Sequence, residues 1–277
     1  MPTLYVTDLD GTLLNTDVAI SEYSLNTINS LVEQGMLFTY ATARSLSSAS
    51  IVAKGLSTRI PVIAYNGAFI IEPDTGKILS KEDFPKEQRK KVMDTLLQYN
   101  ISPLVYSFVD GVEKVSWLRG TENVPKQNYL DSRKGDKRLR PVTTNEALFA
   151  GEIFYFTCLG EKEELQPLYD IFSKDENLTC TFQQEIYKKE YWLEIMPRGA
   201  TKANAILKLK ELWKCDRIVS FGDAINDMPM FKISNECYAV ENAVEELKKA
   251  ATGTILSNNQ DGVAKWLNEN AKFDRKK

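Results

Sequence analysis

The sequence predicts an α/β protein: a parallel-sheet core with an inserted α+β cap. Three observations carry that prediction. Short apolar runs alternate with amphipathic stretches over residues 3–71, as in strand–helix–strand units joined by right-handed crossovers. The same pattern resumes between residues 201 and 267. Between these segments, charged helix and strand-like alternation replace it, so residues 1–83 and 190–277 are assigned to the core and 84–189 to the cap.

Leu4 to Val6 is a β-prone run that ends on Asp8-Leu9-Asp10-Gly11-Thr12. Ile20 to Gln34 reads as a helix, with Ser21 as N-cap, Leu25, Ile28, Leu31 and Val32 at helical spacing, and Gly35 as C-cap. Met36 to Tyr40 is a second buried strand, running into Ala41-Thr42-Ala43-Arg44. A helix starts near Ser45, where Leu46, Ala49 and Val52 or Ala53 share a face. Pro61 to Ala64 is a third parallel strand, ending in Asn66-Gly67-Ala68, and Phe69–Ile71 with Ile78–Leu79 forms a hairpin.

In the insert, Lys86 to Tyr99 reads as a charged surface helix and residues 101–118 as exposed antiparallel strands. Asp131 to Arg140 is a polar loop with five basic residues. Gly151–Leu159 is a strand, Glu163–Phe172 a helix, and Leu178–Gln183 and Tyr191–Met196 are further strands. The core then returns with a helix at Thr201–Leu212 and a buried strand at Arg217–Phe221 that ends in Gly222-Asp223. A short element at Phe231–Ser234, a strand at Glu236–Val240 and a helix at Val244–Ala250 follow. Thr254–Leu256 and Gly262–Leu267 close the fold, and residues 274–277 read as a frayed end.

Composition removes several function classes. The chain has 277 residues, 43% hydrophobic and 26% charged, with net charge -3, which argues against a binder of nucleic acid held by phosphate contacts. Cys158, Cys180, Cys215 and Cys237 form no CxxC pair, as expected of reduced thiols in a cytoplasm. No secretory signal pattern and no apolar run near membrane-spanning length is visible, so a soluble cytoplasmic protein is expected. No motif encodes an oligomeric state. Histidine is absent, so any general acid or base must be a carboxylate, Lys, Tyr or Cys.

In an open parallel sheet, ligands bind at the carboxyl ends of the strands. Asp8, Asp10, Thr42, Asn66 and Asp223 all fall at such ends. A buried strand that stops on two acids is costly unless a cation offsets their charge. Asp8 therefore reads as a phosphoryl-accepting nucleophile, Asp10 as its acid/base partner and Mg2+ as their counter-charge; a plain Asp-x-Asp-Gly turn is the competing reading. Gly222-Asp223-Ala224-Ile225-Asn226-Asp227 is a second acidic cluster. In it Asp223 and Asp227 are metal-site candidates and Asn226 a ligand contact, against a polar turn before a helix. Lys202 either supplies positive charge to a phosphoryl group or is a solvated surface residue. Thr42 either donates its hydroxyl to phosphate or caps a helix. Arg44 pairs with an acid or reaches the substrate, and Asn66 joins the candidate phosphate and substrate contacts.

Taken together, Asp8-Leu-Asp10-Gly-Thr12, Thr42, Lys202 and Gly222-Asp223-x-x-Asn226-Asp227 resemble the four motifs of the haloacid dehalogenase superfamily. The resemblance narrows to its Cof-type phosphatases through Asn66-Gly67-Ala68, Met230, Glu241-Asn242-Ala243 and Asp261-Gly262-Val263-Ala264. It departs at Ala43, where that subfamily usually has Gly. The resemblance implies a Rossmann-like core and a Mg2+-dependent phosphomonoesterase. Asp8 would be nucleophile and ligand, Asp10 acid/base and main-chain ligand, and Asp223 a ligand. Thr42 and Lys202 would hold the phosphoryl group, and Asn226 would contact it or the substrate. The expected partner is a small phosphorylated metabolite, a sugar phosphate, chosen by cap residues; Arg138, Arg140, Glu185, Tyr187 and Trp192 are candidates by composition. Phosphosugar mutase-type transfer and a non-catalytic ligand-binding domain are the alternatives.

Overall fold

The computed structural model describes residues 2–184 and 189–273. The expected frayed end at 274–277, and Glu185 and Tyr187, lie outside the described residues. The chain divides into two compact units, one of Met1–Lys81 with Ala200–Lys277 and one of Glu82–Gly199.

The elements of the first unit's opening segment are β1 (Thr3–Thr7), α1 (Glu22–Glu33), β2 (Leu37–Tyr40), α2 (Leu46–Val52), β3 (Val62–Ala64), β4 (Phe69–Ile71) and β5 (Ile78–Lys81). The insert contributes α3 (Lys86–Gln98), β6 (Leu104–Val109), β7 (Val112–Leu118), α4 (Val124–Asp131), β8 (Leu139–Val142), α5 (Asn145–Leu148), β9 (Glu152–Gly160), α6 (Lys162–Phe172), β10 (Leu178–Gln184) and β11 (Tyr191–Pro197). The first unit resumes with α7 (Lys202–Leu212), β12 (Arg217–Gly222), α8 (Met228–Ile233), β13 (Glu236–Val240), α9 (Glu245–Ala250), β14 (Gly253–Ile255) and α10 (Gly262–Asn270).

The central sheet is parallel, in the order β14-β13-β12-β1-β2. Every residue of β1 is buried, so this strand shows no polar alternation, as required when helices cover both faces of a sheet. The strand order reverses between β1 and β12, where Thr7 pairs with Phe221 and the Asp8 amide donates to the Phe221 carbonyl at 2.9 Å. That reversal is where open α/β sheets form their binding crevice. On one side of the sheet Trp266 of α10 packs on Tyr238, Phe221 and Tyr5, with ring centroids 4.4, 5.2 and 6.5 Å apart.

The third expected parallel strand keeps its direction beside β2 but departs from that sheet's ladder. β3 meets the extension of β2 at the parallel Ala41–Ile63 bridge, where the Thr42 amide donates to the Ile63 carbonyl at 3.0 Å, and it pairs antiparallel with β4 of the β4–β5 hairpin. The departure follows from the left-handed Tyr65 and Asn66, which turn the chain back at once and offer β3 a nearer antiparallel partner.

The insert is a six-stranded sheet in the order β10-β11-β9-β6-β7-β8, antiparallel except for the β7–β8 pair. Asp110 and Gly111, both at positive φ, close the β6–β7 hairpin. Val105, Phe156, Leu193 and Ile195 of the sheet share a core with Val92 and Leu96 of α3 and Leu165, Leu168 and Phe172 of α6. Because β11 is laddered to β9 and β10, the insert runs to Gly199 rather than to residue 189. Leu104 and Tyr106 are buried rather than exposed. The expected polar loop at 131–140 ends in β8 and is preceded by α4, whose N-cap Asn123 accepts from the Lys126 amide at 2.9 Å. No helix among the described residues is long and apolar enough to cross a membrane.

Candidate active site

The first unit collects the predicted residues at the carboxyl end of β1 and its neighbours. Asp8 follows β1 directly and is buried. Leu9–Leu13 makes a wide turn, closed by the Leu14 amide on the Leu9 carbonyl at 2.8 Å. Gly11 sits in it at φ +74, and a Cβ there would overlap the Asp223 carboxylate, so glycine is required twice over. Thr12 donates its hydroxyl to Asp223 Oδ1 at 2.8 Å.

Asp8 is held by Lys202. The buried ammonium donates to Asp8 Oδ1 at 2.6 Å and to Asp227 Oδ1 at 2.7 Å. Lys202 opens α7, whose N-cap Thr201 accepts from the Asn204 amide at 3.1 Å. The turn Tyr65-Asn66-Gly67 braces this helix start. Asn66 is buried in the left-handed region and its amide donates to the Thr42 carbonyl at 2.9 Å. Gly67 has φ +101, and a Cβ on it would overlap the Thr201 carbonyl.

Asp227 is fully buried, and its second oxygen accepts the amides of Asp223 and Ala224 at 3.0 and 3.2 Å. Asp8, Asp223 and Asp227 each offer a carboxylate oxygen within 4.8 Å of the others, a set that could hold a metal ion. The hydrogen bonds divide the labour, however. Both oxygens of Asp227 are engaged, one by Lys202 and the other by backbone amides, an arrangement that suits the supporting place expected for it behind the metal shell. The set fits a divalent cation by charge: three carboxylates against the single Lys202 ammonium leave two negative charges in a largely buried site.

The electrostatics say the same. Burial, reinforced by Asp227, Asp223 and Asp10, pushes the Asp8 carboxyl well up against the pull of Lys202. Burial and then the Asp227 charge raise Asp223 to about 7. Burial opposes the Lys202 ammonium, but Asp227 and Asp8 overcome it and hold its pKa above the usual lysine value.

Thr42 is fully buried and is not a helix cap; Ser45 caps α2 by accepting the Ser48 amide at 3.1 Å. Thr42 Oγ1 accepts the Arg44 amide at 3.1 Å, which leaves its own proton to be donated. Arg44 takes the first of its two expected roles. Nε and Nη2 donate to the two oxygens of Asp10 at 2.8 and 2.6 Å, and Nη1 donates to Ser48 Oγ at 3.1 Å. Each of the three nitrogens has an acceptor in these bonds, which use three of the guanidinium's five N–H groups. Asn226 is half-buried, and its Oδ1 is enclosed without a hydrogen-bond partner among the described residues, as suits a group that meets a ligand.

Sequence reasoning gave no role to three residues that shape this site. Thr12 orients Asp223, Asn242 Nδ2 holds the Gly11 carbonyl at 2.7 Å, and Asn258 holds Asn242 Oδ1 and the Leu14 carbonyl at 3.0 and 2.9 Å. The signals were the motifs that contain Thr12 and Asn242, neither of which carries a spacing that names a partner. Two basic residues proposed for the cap are otherwise engaged. Arg138 pairs with Glu113 and Asp136, and Arg140 donates to Ser116 Oγ and the Ala147 carbonyl. Trp192 packs on Tyr129 at 5.7 Å, with its indole N–H enclosed and unpartnered among the described residues.

A parallel sheet bearing a nucleophile candidate at its switch point, beside an acidic set that could hold a metal ion, points to the hydrolase class of α/β enzymes. The chain belongs to the haloacid dehalogenase-like hydrolases, whose family model matches residues 5–267. It is 28% identical over 271 residues to 5-amino-6-(5-phospho-D-ribitylamino)uracil phosphatase YitU of Bacillus subtilis (strain 168), covering 97% of each chain. It is 29% identical over 284 residues to the B. subtilis phosphatase YwtE of the same description, covering 95% of this chain and 96% of that one. Among solved structures it resembles TM0651 from Thermotoga maritima, with TM-score 0.77, 28% identity and 99% of each chain covered. A haloacid dehalogenase-like hydrolase from B. subtilis has the same fold at TM-score 0.79 and 20% identity, over 98% of this chain and all of that one (100%).

Proposed function

We propose that this protein is a Mg2+-dependent phosphatase of small phosphate monoesters, working in the cytoplasm through an aspartyl-phosphate. The observation that carries the reading is the buried Asp8 carboxylate, fixed by Lys202 at 2.6 Å beside Asp223. Asp8 attacks phosphorus and the ester P–O bond breaks. Asp10 gives its proton to the leaving oxygen, then accepts one from the water that hydrolyses the acyl phosphate, which restores Asp8 and releases inorganic phosphate. Thr42, Lys202, Asn66 and Asn226 are assigned to the phosphoryl group and its immediate surroundings. Asp8, the Asp10 main-chain carbonyl and Asp223 would hold Mg2+, with Asp227 behind them. The ion would offset the charge that accumulates on the phosphoryl oxygens.

A phosphorylated sugar or polyol is the proposed substrate class. Both B. subtilis relatives are named for a phosphoribityl compound, in which the phosphate sits on such a chain. We assign substrate choice to the inserted unit, because the core residues named above are committed to phosphate, metal or one another. The test is a panel of sugar phosphates, nucleotides, pyridoxal phosphate and flavin mononucleotide, assayed for phosphate release with Mg2+ and with a chelator. Release that depends on Mg2+ supports the reading. A phosphate moved to another hydroxyl without release would indicate a mutase, and binding without turnover a ligand-binding domain.

A further inference from the structure

Asp10 is the most exposed of the four acids in the site, its side chain 46% accessible, and it projects from a turn rather than a strand. A carboxylate so placed has rotamers to choose from, yet proton transfer tolerates little misplacement; about 1 Å can cost roughly 10²-fold in rate. One feature removes the choice. The Arg44 guanidinium meets Asp10 in a two-pronged fork, Nε to Oδ2 at 2.8 Å and Nη2 to Oδ1 at 2.6 Å. Such a fork fixes the carboxylate's plane as well as its distance, which a lysine could not do.

Arg44 is itself anchored at three points. Its remaining nitrogen donates to Ser48 Oγ at 3.1 Å on the first turn of α2. Its amide donates to Thr42 Oγ1 at 3.1 Å, and its carbonyl accepts the Tyr65 amide at 2.9 Å. A pair this exposed adds little to stability. These bonds tie two of its nitrogens to Asp10, the third to Ser48 of α2, and its backbone to the loops that carry Thr42 and Asn66.

We infer that Arg44 is a positioning residue that acts through Asp10, aiming its carboxyl group at the leaving-group oxygen, and that it does not bind the phosphate. The inference rests on the phosphatase reading above. When the ester bond breaks, an alkoxide needs the Asp10 proton, whereas p-nitrophenolate departs without one. Loss of Arg44 therefore damages the first chemical step for alkyl phosphates and spares it for p-nitrophenyl phosphate.

The experiment compares wild type, Arg44→Gln, Arg44→Lys, Asp10→Asn and the Arg44→Gln/Asp10→Asn double variant. The readout is kcat/KM, which reports the steps up to leaving-group release, on p-nitrophenyl phosphate and on the alkyl phosphate that wild type hydrolyses fastest. Arg44→Gln is expected to lose about 10–100-fold on the alkyl ester and under about threefold on the aryl ester, and to add no further loss in the Asp10→Asn background. Arg44→Lys should follow Arg44→Gln, since the point charge lacks the fork. Ser48→Ala, which removes only the anchor, should show a smaller loss of the same selectivity. Equal losses on both esters, or a further loss in the double variant, overturn the inference and return Arg44 to phosphate binding or to the fold. A wild-type protein that cleaves neither ester overturns the phosphatase reading, and this inference with it.

Discussion

Lys202 Nζ lies 2.6 Å from Asp8 Oδ1 and 2.7 Å from Asp227 Oδ1, so one buried ammonium joins the proposed nucleophile to the acid that organises the Asp223 turn. Removing it strands two buried carboxylates. Breaking a buried ion pair from one side costs about 3–5 kcal/mol. Lys202→Met should therefore lower unfolding stability by about that amount in chelator and abolish phosphatase activity. Chemical denaturation followed by circular dichroism measures the first effect, and a variant as stable as wild type would show that the ammonium does not carry this charge balance.

Asp8→Asn tests the nucleophile with the opposite signature. The amide keeps the volume and removes a buried negative charge, so the fold should hold while activity falls by at least about 10³-fold, because no acyl phosphate can form. Mass spectrometry of protein quenched during turnover should find phosphate on wild-type Asp8 and none on the variant. Retained turnover would remove Asp8 from its role.

Gly67→Ala probes the brace under α7. Glycine is held at φ +101, with the Thr201 carbonyl where a Cβ would stand and the Lys202 amide nitrogen at 3.0 Å from it. The strained backbone alone costs about 1–3 kcal/mol, and relief requires α7 to shift at the residue that holds Asp8. The expected result is a lower melting temperature together with a fall in kcat, although residue 67 has no chemistry of its own. An unchanged kcat in a destabilised variant would separate the brace from the site.

What could be read from the sequence and what could not divides along a physical line. Asp8, Asp223 and Lys202 were legible because each interrupts an apolar run or opens a helix, and a parallel sheet gathers strand ends on one edge. The Arg44–Asp10 fork, the Thr12–Asp223 bond and the Asn242–Asn258 relay join loops through side chains, and no period in the sequence reports such partners. β3 read correctly as a strand running parallel beside β2, but its antiparallel ladder with β4 was not legible, since that pairing is decided by left-handed residues after it rather than by its own apolar content. In the insert, α4 carries Pro125 at its start and buries few apolar side chains, Tyr129 and Leu130 among them, too few for a helical pattern to emerge.

The charge balance of the site also sets a pH dependence. The Asp223 carboxyl is raised from 3.8 to about 7, by burial first and then by Asp227. The folded protein thus holds this proton more tightly than the unfolded chain does. In chelator, the resulting stabilisation is complete below about pH 4 and is lost as pH rises toward 7, because over that window only the unfolded chain gives up the proton. Mg2+ requires the deprotonated ligand and competes with the proton. Its stabilising effect should therefore be small near pH 5 and large near pH 8, in thermal melts run with Mg2+ and with chelator across that range. Asp223→Asn should flatten the dependence, since an amide neither titrates nor offers the charge. A Mg2+-induced shift in melting temperature that is the same at both ends of the range in wild type would mean that Asp223 is not the ligand whose proton the metal displaces.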